Sequence, residues 1–110
     1  MEGLMILVRS GPEETGRVEE ALRLAAAMLG FDNLLTLVFL DEGVRCLHTG
    51  AFSDPLLQDY LRASADLAGV HALTSGEEAG EDLDPALGAS LIDLDRLMIM
   101  LKDFSAVASF

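Results

Sequence analysis

Cysteine, aromatic and basic residues are scarce in this chain of 110 residues. It has one cysteine, one tyrosine, no tryptophan and only 7 lysines and arginines. Because Cys46 is the single thiol, an intrachain disulfide cannot form, and neither can a zinc site of four thiolates. The 19 acidic side chains leave a formal net charge of −12, which repels nucleic-acid backbones and anionic lipid. We therefore expect no nucleic acid and no membrane among its partners.

Long apolar stretches and a secretory signal are also missing. No apolar run approaches the ~20 residues that span a bilayer. Met1-Glu2-Gly3 precedes an apolar run of five residues, without the basic start and small-residue cleavage site of a signal peptide. These features predict a cytoplasmic protein.

Apolar residues, in contrast, are abundant. They make up 51% of the chain, and the mean hydropathy is +0.37. A chain of this length fits one domain, which buries roughly two-thirds of the surface that its unfolded chain exposes. So small a domain cannot bury all of these side chains within itself, and we expect part of the apolar surface to face another subunit. The acidic charge then keeps an apolar oligomer soluble, and the alternative is that it steers in a basic protein partner.

The hydrophobic pattern predicts strands that alternate with helices. Unbroken apolar runs at residues 4–8 and 34–40 are typical of strands covered on both faces. Three shorter runs complete a set of about five strands, at residues 70–73, 91–92 and 105–110. Such alternation predicts a three-layer α/β/α sandwich with a mainly parallel sheet, in a single domain that covers residues 1–110.

Capping residues mark three intervening helices. Ser10 or Gly11 can cap the first helix, with Pro12 in its first turn and Gly30 at its end. The later helices have similar boundaries: Ser53-Asp54-Pro55 and Gly69 for the second, and Asp93 or Asp95 for the start of the third. Their predicted apolar stripes are Leu57, Tyr60, Leu61 and Leu67 in the second helix, and Leu97, Met98, Leu101 and Phe104 in the third.

Residues 11–18 superficially resemble a phosphate-binding loop, because they follow a strand and open a helix. That loop requires Lys and then Ser or Thr after its second glycine. Arg17 and Val18 occupy those positions here, and Glu13 and Glu14 lie where phosphates would bind. We reject a nucleotide site and expect ordinary helix capping.

Cys46 and His48 are the residues for which the sequence leaves both a structural and a catalytic role open. They lie two apart, so they point to different sides of a helix but share a face of an extended segment. Arg45 would lower the pKa of the thiol, whereas Asp41 and Glu42 would raise it. A lone cysteine in an apolar protein is usually a buried, inert side chain, and a nucleophilic Cys46 is the sharper alternative.

One stretch of the chain resembles a known family. The residues from Leu34 to Val44, read as Leu-Leu-Thr-Leu-Val-Phe-Leu-Asp-Glu-Gly-Val, are similar to the second-strand region of the DsrE/DsrF-like sulfur-relay family. The Ala-rich helix from Glu20 to Leu29 and the ending Ala106-Val107-Ala108-Ser109-Phe110 support the resemblance, which is closest to the DsrF/TusC branch. It implies a small α/β/α sandwich and dimeric, trimeric or hexameric assembly, often with sister subunits.

The resemblance also implies where a reactive thiol should be. In the active branch of the family, a cysteine near the end of the third strand carries a persulfide. The matching stretch here, residues 70–76, contains no cysteine. The hydroxyl of Thr74 or Ser75 cannot hold a transferable sulfur as a thiolate can. The family's sulfur-carrying role is therefore not implied for this chain.

Three functions follow as expectations, and none of them requires a cofactor or a metal. The first is an accessory, non-catalytic subunit of a sulfur-relay assembly, as a homo-oligomer or with sister subunits. The second is a sulfur carrier or transferase that uses Cys46 as its catalytic residue, with His48 or His71 nearby. The third is a module that binds a small ligand at the carboxyl ends of the strands, where α/β sheets place their ligands. Its crevice residues would be Ser10, Gly11, Asp41, Gly43, Thr74 and Ser75.

Overall fold

All five apolar runs predicted to be strands form one sheet in the computed structural model, which describes residues 3–29, 34–74 and 82–110. Within these ranges, three α-helices lie between the strands. In chain order the elements are β1 Gly3–Val8, α1 Thr15–Leu29, β2 Leu34–Phe39, α2 Pro55–Leu67, β3 Val70–Leu73, β4 Ser90–Ile92, α3 Leu94–Leu101 and β5 Ala106–Ser109. Among the described residues, the 3₁₀ helix Asp41–Leu47 follows β2, and the 3₁₀ helix Pro85–Leu87 precedes β4.

The sheet has the strand order β4-β3-β2-β1-β5, and every neighbouring pair is parallel. In the register, Met5 of β1 lies opposite Thr36 of β2 on one side and Val107 of β5 on the other. The chain therefore adds β2, β3 and β4 successively to one side of β1 and then returns to add β5 to the other side. The boundary between β1 and β5 is the topological switch point of the sheet.

Helices cover both faces of the sheet, as the sandwich prediction requires. Successive strand residues point to opposite faces. Ile6 and Leu37 pack with α1 and α2 in the larger core, whereas Met5 and Val38 pack with α3 in the smaller one. The three-layer α/β/α architecture with a parallel five-stranded sheet is confirmed.

The helix boundaries agree with the capping predictions except at the start of α1. The side chains of Asp54 and Asp93 accept hydrogen bonds from the first turns of α2 and α3 at 2.9 and 2.8 Å. The expected cap at Ser10 or Gly11 is wrong. Residues 11–14 form a separate turn, closed by a 3.0 Å bond from the Glu14 amide to the Gly11 carbonyl, and α1 begins only at Thr15. Gly30, the predicted end of α1, lies outside the described residues.

Two predicted core residues are exposed. Leu67, in the last turn of α2, is 72% exposed, and Met98 of α3 is 56% exposed. The helix α3 instead packs Leu97 and Met100 against the sheet. Because one short helix covers this face, apolar side chains on its outer side have no cover from within the described part of the chain.

No helix of the described residues has the length and apolar character needed to cross a membrane.

Candidate functional site

The end of the third strand carries no thiol. The strand β3 ends at Leu73, and the amide of the next residue, Thr74, donates to the carbonyl of Ile92 at 3.1 Å. Ser75 lies outside the described residues. The residue types from Val70 to Ser75 offer hydroxyls and an imidazole but no sulfur.

Cys46 lies deep in the larger core. It belongs to the 3₁₀ helix Asp41–Leu47, and only 1% of its surface is exposed. Its Sγ donates to the backbone carbonyl of Ser10 at 3.4 Å, so the thiol proton already has an acceptor. This placement is typical of a small buried hydrophobic residue.

The electrostatic surroundings keep Cys46 protonated. Burial raises the pKa of its thiol from 9.0 to about 12, the charge of Arg45 partly opposes this rise, and Glu13 adds to it. The carboxylate that contributes most is therefore Glu13 rather than Asp41 or Glu42. The reason is tertiary. Glu13 lies 32 residues from Arg45 in sequence, but its carboxylate accepts a hydrogen bond from the Arg45 guanidinium at 2.6 Å, beside Cys46.

The two histidines have different relations to Cys46. His48 follows the 3₁₀ helix and lines a pocket of about 260 Å³ together with Cys46. Within the described residues, the thiol bonds the Ser10 carbonyl and makes no hydrogen bond to His48. His71 points to the α3 face, because its neighbours Val70 and Ala72 pack in the larger core. The sheet thus separates His71 from Cys46, and the structure places only His48 near the thiol.

A second cavity lies at the carboxyl ends of β1 and β5. Its volume is about 290 Å³. We call it the carboxyl-end crevice, and it is lined by Arg9, Ser10, Arg17, Asp41, Ser109 and Phe110. The amides of Arg9 and Ser10 donate to the Phe110 carbonyl at 2.7 and 3.3 Å, which fixes the wall between the two strands.

Only part of the predicted ligand crevice converges here. Ser10 and Asp41 line the carboxyl-end crevice, but Gly11, Gly43 and Thr74 do not. Gly43 packs directly against the backbone of β1, so closely that a Cβ atom there would overlap the Val8 carbonyl. Ser75 lies outside the described residues.

Two arginines of the crevice were not anticipated from the sequence. Arg9 follows β1, and its Nε donates to the Asp41 carboxylate at 3.1 Å. Asp41 adopts a left-handed backbone conformation, with a φ of 53°, which aspartate tolerates better than most residues. Arg17 joins the crevice from α1. The position of Arg9 directly after the first apolar run was an available signal, whereas the sequence held none for Arg17.

No group of three or more histidine, cysteine, aspartate or glutamate side chains is placed to hold a metal ion in the ranges 3–29, 34–74 and 82–110. The acidic side chains around the crevice are instead engaged with arginines. Arg45 bonds both Glu13 and Glu42 at 2.6 Å, and Arg9 bonds Asp41.

Comparisons with known proteins identify the family and agree with the fold. The sequence model of the DsrE/DsrF-like family matches residues 2–105. Among solved structures, the ychN protein from E. coli has a similar fold, with a TM-score of 0.76 and 18% sequence identity over 100% of both chains. At this level of identity the likeness shows the fold alone. No curated protein sequence matches the chain.

Proposed function

This chain belongs to the DsrE/DsrF-like family, and from that premise we propose that it is an accessory, non-catalytic subunit of an oligomeric sulfur-transfer assembly. The family supports a role related to sulfur relay. The accessory role, the DsrF/TusC branch, a single domain over residues 1–110 and a cytoplasmic location are parts of the proposal.

The observation that carries this proposal is the position of the single thiol. The end of β3 has Leu73 and Thr74 where the resemblance expects a persulfide cysteine. Cys46 lies elsewhere, is buried, and has a pKa raised to about 12 by that burial. A persulfide forms when a thiolate attacks a sulfane sulfur, and this thiol is protonated at neutral pH. These facts favour the accessory role over a carrier that uses Cys46.

An uncovered apolar surface supports the oligomeric part of the proposal. Four large side chains on the α3 side of the sheet are each 49–61% exposed. Val107 belongs to this side because it lies opposite Met5, which packs under α3. We call this set the α3 surface, and its members are Leu94, Met98, Ile99 and Val107.

The partner that we propose for the α3 surface is a second copy of this chain. Residues 93–103 carry three aspartates against Arg96 and Lys102, a charge of −1 that is close to the proportional share of a chain with a net charge of −12. The argument for a second copy is therefore apolar: it offers the same four exposed side chains, so two α3 surfaces can cover each other. Completing the burial of these four half-exposed side chains on each of two copies would stabilise the pair by roughly 6–12 kcal/mol. That gain lies within the range of about 4–15 kcal/mol that association costs.

Mass spectrometry after incubation with a persulfide donor tests the accessory role. We expect no added sulfur atom on the native protein, and one added sulfur on the protein unfolded in urea, where Cys46 is accessible. Cys46→Ser, also unfolded, is the control that assigns the added sulfur to this thiol. Stoichiometric sulfur on native Cys46 would establish a carrier and contradict the proposal.

Size-exclusion chromatography with light scattering tests the partner. We expect an oligomer of the isolated chain at micromolar concentration, and a monomer for Met98→Glu. The matched control is Leu67→Glu, which places the same charge at an exposed leucine of α2 and should leave the assembly intact. A monomeric native chain, or one that assembles only with a different subunit, would contradict self-association.

A further inference from the structure

The carboxyl-end crevice occupies the position where parallel α/β sheets bind ligands. Its walls come from the residues that follow β1 and from the end of β5. These two strands are neighbours across the switch point of the sheet. In open α/β sheets, ligands bind at such a point, in the crevice outside the carboxyl ends of the strands. The position alone indicates a binding site but not its ligand.

The donors that line the crevice indicate an anion. Two of the 7 basic side chains in this acidic protein, Arg9 and Arg17, converge there. Among the described residues, Arg17 forms no ion pair with a carboxylate. Ser10 is only 6% exposed and lines the crevice, and its backbone carbonyl accepts the Cys46 thiol. A guanidinium presents several N–H groups in a planar fork that matches the oxygens of phosphate and related groups.

We propose that the carboxyl-end crevice binds a small ligand with a phosphate- or sulfate-type oxyanion, held by Arg9, Arg17 and Ser10. The volume of about 290 Å³ lies at the lower end of the usual range for ligand pockets, which indicates a small molecule. Phe110 lines the same cavity, and its side chain packs against the larger core at this edge, so an organic body attached to the oxyanion would meet an apolar residue here. This site is distinct from Cys46 and does not depend on the accessory role.

Asp41 repels a bound anion, but it also positions Arg9, one of the side chains that would hold that anion. Its carboxylate lines the crevice and accepts the Nε–H of Arg9, so the terminal nitrogens of Arg9 are left for a ligand. Removing this negative charge while keeping an acceptor should therefore tighten binding. The variant Asp41→Asn does so, and asparagine also tolerates the left-handed backbone at this position.

Titration of the isotope-labelled protein, followed by amide NMR shifts, tests the proposal. The probes are inorganic phosphate, inorganic sulfate and phenyl phosphate. We expect saturable shifts at Ser10, Gly11 and Arg17, with the tightest binding for phenyl phosphate because of its ring. Comparison of phosphate with sulfate shows which of the two oxyanions the site prefers.

Three variants separate this site from general charge attraction. Arg17→Gln removes a charge-assisted hydrogen-bonding pair and should weaken binding about ten-fold or more. Asp41→Asn should tighten it by roughly three-fold. Arg23→Gln, an exposed arginine on α1 outside the crevice, should leave it unchanged.

Three results would overturn the proposal. The first is the absence of saturable shifts with all three probes. The second is saturable binding that Arg17→Gln leaves unchanged, because binding would then lie elsewhere. The third is equal weakening by Arg23→Gln and Arg17→Gln, since this would show general charge attraction. Equal affinities for phosphate and phenyl phosphate would overturn the role of Phe110.

Discussion

The alkylation rate of Cys46 is the property that most directly tests the interpretation of this protein as non-catalytic. Because the chain has a single cysteine, all reaction with iodoacetamide reports on this residue. Its pKa is raised from 9.0 to about 12. Each pKa unit lowers the thiolate fraction about ten-fold below the pKa, so the native thiolate is about 1,000-fold rarer than that of an ordinary cysteine.

The expected result at pH 8 is a native rate at least about 1,000-fold below that of the urea-unfolded protein. Burial to 1% exposure slows the reaction further, because the reagent cannot reach Sγ. Transient unfolding does not mask this difference, since stabilities of about 5–15 kcal/mol leave fewer than about one molecule in 1,000 unfolded. The measurement is the appearance of the alkylated mass with time.

The same pKa shift predicts how stability depends on pH. The folded state holds the Cys46 proton more tightly than the unfolded state, so stability is unaffected by this thiol below pH 9. As the pH rises from 9 towards 12, the unfolded chain loses the proton first, and stability falls by on the order of 4 kcal/mol. Cys46→Ala should remove this component. A native alkylation rate within ten-fold of the unfolded rate would refute both expectations. It would show that Cys46 is an accessible nucleophile in the folded protein.

Further predictions concern backbone packing, a histidine and an exposed ion pair. Gly43→Ala should lower the free energy of unfolding by about 1–3 kcal/mol, because the added methyl overlaps the Val8 carbonyl. Gly16→Ala in α1 should raise the free energy of unfolding by about 0.5–1 kcal/mol, because the added methyl meets no atom within 4 Å. Urea denaturation of both variants measures the difference, and equal effects would contradict the packing argument. Burial and the neighbouring Arg96 lower the pKa of His71, so the unfolded chain binds this proton first and stability should fall as the pH drops below 6.5. Urea titrations at several pH values should show a smaller fall for His71→Gln. Arg45→Gln should leave the melting temperature nearly unchanged, because its two ion pairs are exposed to solvent; a large decrease would show that they hold the loop in place.

Much of the fold was predictable because it depends on local patterns. The runs at residues 4–8 and 34–40 are apolar without interruption, and this marks strands that helices cover on both faces. The caps at Asp54 and Asp93 follow from side-chain oxygens that accept amides two or three residues later. The start of α1 was not predictable in this way. The amides of Arg9 and Ser10 are bonded to the distant Phe110 carbonyl, which holds these residues beside the end of β5, and the helix begins only after the following turn.

Which apolar side chains of a helix are buried also depends on the sheet residues that the helix packs against, and the spacing of apolar residues does not identify these. Met98 was predicted to lie in the apolar stripe, but Met98 and Met100 lie two apart, so only one of them can face the core. Which one does so depends on how α3 rotates against Met5 and Val38 of the sheet. Met100 is buried, and Met98 becomes part of the α3 surface.

The candidate site shows the same division. The sequence identified Ser10 and Asp41 as residues at strand ends, since the carboxyl ends of parallel strands share an edge. It did not indicate that Arg9 and Arg17 would join them, because β5, which closes this crevice, lies a hundred residues from β1 in sequence. Nor did the near neighbours of Cys46 in sequence indicate Glu13 as the carboxylate that raises its pKa.

By itself the sequence determined the alternation of strands and helices, the acidic charge and the lack of a thiol after the third strand. Each of these is a property of residue type or of short-range spacing. The tertiary structure alone decided the strand order, the burial of Cys46 and the meeting of two arginines at the switch point. Those depend on contacts between segments far apart in the chain, whose geometry is set by how the sheet and helices pack together.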